Sequence, residues 1–172
     1  MKSSRPRGDG RPRPSGRAPL DNPLLNKRKL RTSGALKVST AGYSGTPLPK
    51  KLGIRDNYSV VLVNAPDRFE RKLDPLPAYS KIVNDPKSAN VAVLFASSLA
   101  ELARDFRPLT KALPEKTALW IAWPKKASGV QTDLDGNVVR EFGLDSGWVD
   151  YKVCAIDETW SGLCFARRKS FH

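Results

Sequence analysis

The sequence predicts a three-layer α/β fold built on one mostly parallel sheet, with a C-terminal antiparallel hairpin. Three observations carry this. The apolar runs Tyr58–Val63, Val91–Ala96 and Ala118–Trp123 are nearly unbroken, as strands buried on both faces are. Helically spaced apolar residues follow the second and the third of these runs. The chain then closes with two more apolar runs, Tyr151–Ile156 and Leu163–Arg168, around the turn Asp157-Glu-Thr-Trp-Ser-Gly162.

The 172 residues fit one domain and an appendage, divided at residues 40 and 41. Residues 1–40 carry eleven Lys and Arg against two Asp and Glu, whereas the rest of the chain carries nineteen against fifteen. Most of the net charge of +13 therefore belongs to the Pro-, Gly- and Arg-rich beginning. Its composition predicts a disordered tail, because it offers too little apolar surface to offset the ordering of the chain. Lys27, Arg28, Lys29 and Arg31 form a basic cluster suited to weak contact with nucleic acid. A solubilising tail, or a start codon placed too early, accounts for the same residues. No aromatic residue interleaves the cluster as a stacking platform.

Two cysteines, Cys154 and Cys164, both sit in apolar runs, and no secreted disulfide framework is expected. The hairpin could bring them face to face, but a reducing compartment disfavours a bond between them. The absence of an apolar run long enough for a membrane, and of a secretory pattern, predicts a cytoplasmic protein with no membrane partner.

In chain order, Thr46 is placed to cap a short helix opened by Pro47, with Gly53 just beyond its end and Leu48, Leu52 and Ile54 as anchors. The strand Tyr58–Val63 runs into Asn64-Ala-Pro66, with no glycine-rich turn of the kind that lets a backbone approach a cofactor phosphate. Phe69 and Leu73 are spaced for a short helix before Pro75 and Pro77. Tyr79–Val83 reads as a short strand and 85–90 as a turn. Ser98 and Glu101 have capping-box spacing at the head of a helix with an apolar face at Leu99, Leu102, Ala103, Phe106, Leu109 and Leu113. Pro124 ends the central strand, and Lys125, Lys126, Ser128 and Gly129 form a cationic loop beyond it. A second helix spans 134–146, with Asp133 or Asp135 near its start, Gly143 weakening its last turn and Gly147 stopping it. Right-handed crossovers would align the strands at 58–63, 91–96, 118–123 and 151–156 in parallel.

Four signatures, Gly42-Tyr-Ser-Gly-Thr-Pro-Leu with Lys50-Lys-Leu-Gly53, Asn64-Ala-Pro66, Trp123-Pro-Lys-Lys-Ala-Ser-Gly129 and Val153-Cys-Ala-Ile-Asp-Glu-Thr-Trp-Ser-Gly162, carry a family resemblance. Over roughly residues 41–169 the chain resembles an uncharacterised bacterial family, the domain of unknown function number 3052. The resemblance implies a reduced Rossmann-like topology, similar to class I methyltransferases but without their glycine-rich turn. It implies no activity.

Ligands of open α/β sheets bind beyond the carboxyl ends of the strands. The candidate ligand residues are therefore Thr46, Asn64, Lys125, Lys126, Ser128, Asp157, Glu158 and Trp160. Lys125 and Lys126 suit phosphate or carboxylate, Ser128 adds a hydroxyl, and Asp157 and Glu158 can pair with the lysines or balance a ligand. Trp160 can stack on a ring or cover the core, whereas Trp120 and Trp148 read as packing residues. Catalytic residues stay unassigned: the one histidine, His172, is terminal, no P-loop occurs, and two cysteines without a histidine make no zinc site. No cofactor or metal is expected. The sequence favours a non-catalytic module binding a small anion or a protein on this cationic rim. A diverged methyltransferase-like enzyme, or a nucleic-acid-associated protein acting through the tail, are the alternatives.

Overall fold

The structure, a computed structural model, describes residues 45–170. The described residues all belong to one compact unit. The expectations for the tail, its basic cluster and His172 lie outside the described residues.

The elements are α1 (Leu48–Lys51), β1 (Ser59–Val63), β2 (Lys81–Val83), β3 (Val91–Phe95), α2 (Leu99–Ala112), β4 (Ala118–Pro124), α3 (Gly136–Asp145), β5 (Trp148–Ala155) and β6 (Trp160–Arg167). The short helix expected before Pro75 is a 3-10 helix, Phe69–Leu73, and both of its end residues are buried. The six strands form one sheet in the order β2-β1-β3-β4-β6-β5. β2, β1, β3 and β4 are parallel neighbours. β6 runs antiparallel between β4 and β5, so β5 points along β4 without touching it. The expected parallel alignment of these strands holds, and the hairpin supplies the antiparallel member.

Two apolar layers explain the unbroken strand runs. On one face α2 and α3 pack Leu102, Phe106, Leu109 and Val139 onto Leu94, Ile121 and Phe165. On the other, α1 and the 3-10 helix pack Leu48, Leu52, Phe69 and Leu73 onto Val93, Phe95, Trp120 and Cys164. Trp120 is fully buried and donates its indole N–H to the Leu52 carbonyl at 3.0 Å, which fixes the end of α1 to the sheet. The full burial of Trp148 likewise fits a packing role.

Local signals shift by a residue or two. Pro47, not Thr46, is the N-cap of α1, and it offers no side-chain cap. Gly53 does end the helix, at φ +77, with its N–H on the Lys50 carbonyl at 3.1 Å and that of Ile54 on the Pro49 carbonyl at 2.9 Å. The strand expected at 79–83 is shorter because Tyr79 has φ +59 and projects into solvent. Ser98 caps α2 as its spacing predicts, but Glu101 bonds the N–H of Ser97 rather than closing the box on Ser98. Leu99 and Ala103 face outward instead of joining the apolar stripe. Asp135 caps α3, while Asp133 reaches the Leu99 N–H at 2.8 Å and so caps α2 from the loop after β4. β5 begins at Trp148, earlier than expected, and Trp160 opens β6 rather than sitting in the turn. Cys154 lies opposite Gly162 and Cys164 opposite Lys152, so the two thiols are not paired across the hairpin, and both are free.

Among the described residues no helix is long and apolar enough to cross a membrane. Among them, no group of His, Cys, Asp and Glu is placed to hold a metal ion.

Candidate functional site

The chain leaves β1 for β2 on one side and reaches β3 on the other, so the sheet order reverses between β1 and β3. Such a reversal opens a crevice in which ligands commonly bind. Here Asn64 spans it. Its backbone is left-handed at φ +57, a conformation asparagine tolerates. Its amide donates to the Asp105 carboxylate at 2.7 Å and to the Phe95 carbonyl at 3.4 Å. Arg104 grips the same carboxylate through two nitrogens at 2.8 and 2.7 Å, which holds the Asp105 carboxyl below its usual range. Asn64 thus braces β1, β3 and α2 together.

The cationic loop divides. Lys125 stays close to the sheet, its N–H bonded to the Thr159 carbonyl at 2.7 Å, and its charge acts on Cys154 in β5. Lys126 acts on Asp135, whose carboxyl is held low first by the N–H of Val138, against some burial, and then by Asn137 and Lys126. Lys126 opens a 3-10 turn, Lys126–Ser128, and acts toward the start of α3, whereas Lys125 acts toward β5. The two lysines therefore do not converge on one ligand. The Ser128 hydroxyl is engaged too: it donates to the Lys125 carbonyl at 2.6 Å and accepts from Val130 at 3.2 Å.

Asp157 pairs with neither of those lysines. One oxygen accepts the N–H groups of Thr159 and Trp160, each at 2.8 Å, and the other meets Lys72 at 2.6 Å. Burial opposes its charge, yet Lys72 and the two N–H groups outweigh that and hold the carboxyl low. Glu158 is exposed on a small hollow of about 350 Å³ shared with Pro47, Lys72 and Asp74. Trp160 packs edge-on against Phe95, with ring centroids 5.0 Å apart, so it covers the core.

Sequence reasoning missed where cationic side chains do converge. Between α1 and β5 lies a cavity of about 440 Å³ lined by Thr46, Lys50, Lys51, Lys152, Val153, Cys154 and Ala155. Its lining holds three lysines and no carboxylate. Lys152 donates to the Lys51 carbonyl at 2.7 Å, and Lys51 reaches the Ala155 carbonyl at 3.4 Å. Burial raises the Cys154 pKa, opposed by Lys51, Lys152 and Lys125, so the lysine of the predicted loop contributes its field here. Of the expected ligand residues, Thr46 lines this cavity and Lys125 acts on it, whereas Asn64, Lys126, Ser128, Asp157 and Trp160 are engaged elsewhere. The signal available in sequence was Lys50-Lys51 beside Thr46; Lys152 was invisible until the hairpin register placed it. A wider groove of about 790 Å³ runs over Pro47, Pro49, Pro75 and Pro77, but its charged groups, Lys50, Arg55 and Asp56, are of mixed sign. That mixture gives an anion less reason to prefer it.

The sheet order, with β6 inserted antiparallel beside β4, defines a Rossmann-like α/β fold. Compared by sequence, the chain matches no protein-family model and no curated protein. Among solved structures it is similar to DhpI in complex with SAH, at 9% identity and TM-score 0.49, over 89% of this chain and 92% of that one. It is also similar to the B. subtilis tRNA methyltransferase TrmK, at 8% identity and TM-score 0.44, over 75% of this chain and 68% of that one. For LepI in complex with SAM the identity is 12% and the TM-score 0.40, over 76% of this chain and 48% of that one. Likeness at this level transfers neither chemistry nor ligand to the chain.

Proposed function

We propose that this protein is a binding module for a small anionic molecule, held between α1 and β5 by Lys50, Lys51 and Lys152 with Lys125 adding charge from the rim. The observation that carries the reading is the cavity with three lysines and no carboxylate in its lining. Clustered like charges repel, and a bound anion relieves that repulsion. Thr46 adds a hydroxyl donor, and lysine is a flexible point charge suited to phosphate or carboxylate. Binding rather than catalysis fits the neighbouring groups: Asp157 is committed to Lys72 and two backbone donors, and the Cys154 thiol is raised by burial. Membership of the domain-of-unknown-function family and a cytoplasmic location belong to the same proposal, resting on the four sequence signatures and the cysteine usage.

The sheet order favours a second reading, a diverged methyltransferase-like protein. Against it stands the Asn64 brace across the crevice between β1 and β3.

Calorimetric titration of the full chain with inorganic phosphate, citrate and SAM separates the readings. The first predicts binding of phosphate or citrate that the double variant Lys50→Ala, Lys152→Ala abolishes. SAM binding that survives this variant would replace it with the second.

A further inference from the structure

The opposite end of the sheet carries a different kind of site. There a cavity of about 590 Å³ opens over Ala118 and Ala166, walled by Tyr151 and by Lys116, Arg168 and Lys169. Tyr151 stands on a β-bulge, because the register passes from Asp150 opposite Phe165 to Lys152 opposite Cys164 and leaves Tyr151 unpaired. The Cys164 thiol donates to the Tyr151 hydroxyl at 3.2 Å, so the ring is anchored at its tip while 60% of the residue stays exposed. The two alanines leave the neighbouring floor low and apolar.

The cations are available. Among the described residues, Lys116, Arg168 and Lys169 make no side-chain hydrogen bond or ion pair. Arg167, next to Arg168, also lines the cavity, but its guanidinium is committed elsewhere: it donates to the Thr110 carbonyl at 2.7 Å and lies 4.7 Å over the Trp148 ring. Glu115 is the one carboxylate on the cavity wall, against three uncommitted cations. An anchored aromatic ring beside a low apolar floor and a fringe of free cations has the chemistry of a stacking platform with phosphate contacts.

We propose that this cavity takes a base of a single-stranded nucleic acid, stacked on Tyr151, with the flanking phosphates on Lys116, Arg168 and Lys169. Three cations beside a single ring match successive phosphates of a strand better than one free nucleotide. The net charge of +13 favours the encounter. This site is separate from the lysine cavity near α1, and neither depends on the other.

The test is fluorescence anisotropy of a labelled oligothymidylate with the full chain across a salt series. Tyr151→Leu weakens binding by about 5- to 150-fold at every salt concentration, the range of one lost base stack. Replacing Lys116, Arg168 and Lys169 together by Gln lowers the slope of log K against log salt by about 2, at roughly 0.7 per phosphate contact. Should Tyr151→Leu fail to fold by circular dichroism, the exposed pair Arg168→Glu, Lys169→Glu must abolish binding instead. The proposal is overturned if the wild type does not bind, or if these variants bind unchanged while replacing Lys27, Arg28, Lys29 and Arg31 by Gln removes binding. Thymidine monophosphate binding as tightly as the oligomer overturns it as well, in favour of a free-nucleotide pocket.

Discussion

Lys152 donates its ammonium to the backbone carbonyl of Lys51 at 2.7 Å, and Lys51 in turn reaches the Ala155 carbonyl at 3.4 Å. Two lysines a hundred residues apart in sequence thus strap α1 to β5, and each brings a positive charge to the same cavity. The Lys152 ammonium also lies 6.0 Å from the Trp120 ring. Lys152→Met keeps the apolar stem and removes the donor. It should cost about 1 kcal/mol in urea unfolding, the usual worth of one hydrogen bond, and Lys152→Arg should recover most of it.

Asp157 organises the turn between β5 and β6 and ties it to Lys72. Its carboxyl is held low in the folded protein. A depressed folded-state pKa contributes stability above the unfolded value, about 3.9, and that contribution is lost as pH falls through the folded value. Asp157→Asn keeps an acceptor for the two N–H groups but loses the ion pair, so at pH 7 it should be less stable by about 1 kcal/mol. Asp157→Ala loses both and should cost more. Melting temperatures of the wild type and D157N should converge on acidification below about pH 4. A constant gap across that range would remove the ion pair from the account.

The thiols should be poor nucleophiles. Burial pushes Cys164 up to about 11, partly opposed by its bond to Tyr151. At pH 8 only about a thousandth of it would be thiolate, and the thiolate is the reactive form. Iodoacetamide followed by intact-mass measurement should show slow labelling of half-buried Cys154 and labelling of Cys164 only after denaturation. Lys152→Ala should slow Cys154 further, because it removes a charge that opposes the raised pKa.

Gly143 looks out of place in α3, since glycine weakens a helix interior. Its reason is tertiary: a Cβ there would overlap the Phe165 ring of β6. Gly143→Ala should therefore destabilise by about 1–3 kcal/mol, the cost of overpacking, despite its better helix propensity. A gain in melting temperature would mean that the ring can move aside.

The case of Gly143 shows which parts of the fold could be read from the chain. The unbroken runs at β1, β3 and β4 announced a sheet covered on both faces, because burial on two sides leaves no polar alternation. Ser98 and Gly53 marked helix ends through bonds to near neighbours in sequence. The same local reasoning failed at Thr46, and at α3 it could not choose between Asp133 and Asp135, of which Asp135 is the cap. The extended ψ of Pro47, 141, moved the first cap by one residue, and Asp133 served a helix thirty-four residues away. The candidate site was legible in half. Thr46 lines the lysine cavity and Lys125 acts on it, but Lys152 depends on a bulge at Tyr151 that shifts the register, and no local pattern announces a bulge. Asp157 looked available because its partner, Lys72, lies eighty-five residues earlier.

Lys125 and Lys126 give the sharpest discrimination between a loop that binds as a unit and a cavity that draws on one of its members. Adjacent in sequence and equal in charge, they act on different faces: Lys125 on Cys154, Lys126 on the Asp135 carboxylate at the start of α3. If the anion sits between α1 and β5, Lys125→Ala should weaken phosphate or citrate binding by about 2- to 5-fold, a long-range Coulomb effect of less than 1 kcal/mol that shrinks with added salt. Lys126→Ala should leave affinity unchanged and lower the melting temperature only slightly, through the loss of its charge beside Asp135. The reverse ranking, Lys126 mattering more than Lys125, would place the anion over α3 and remove it from the cavity beside Lys152. Equal losses from both substitutions would restore the loop itself as the binding element.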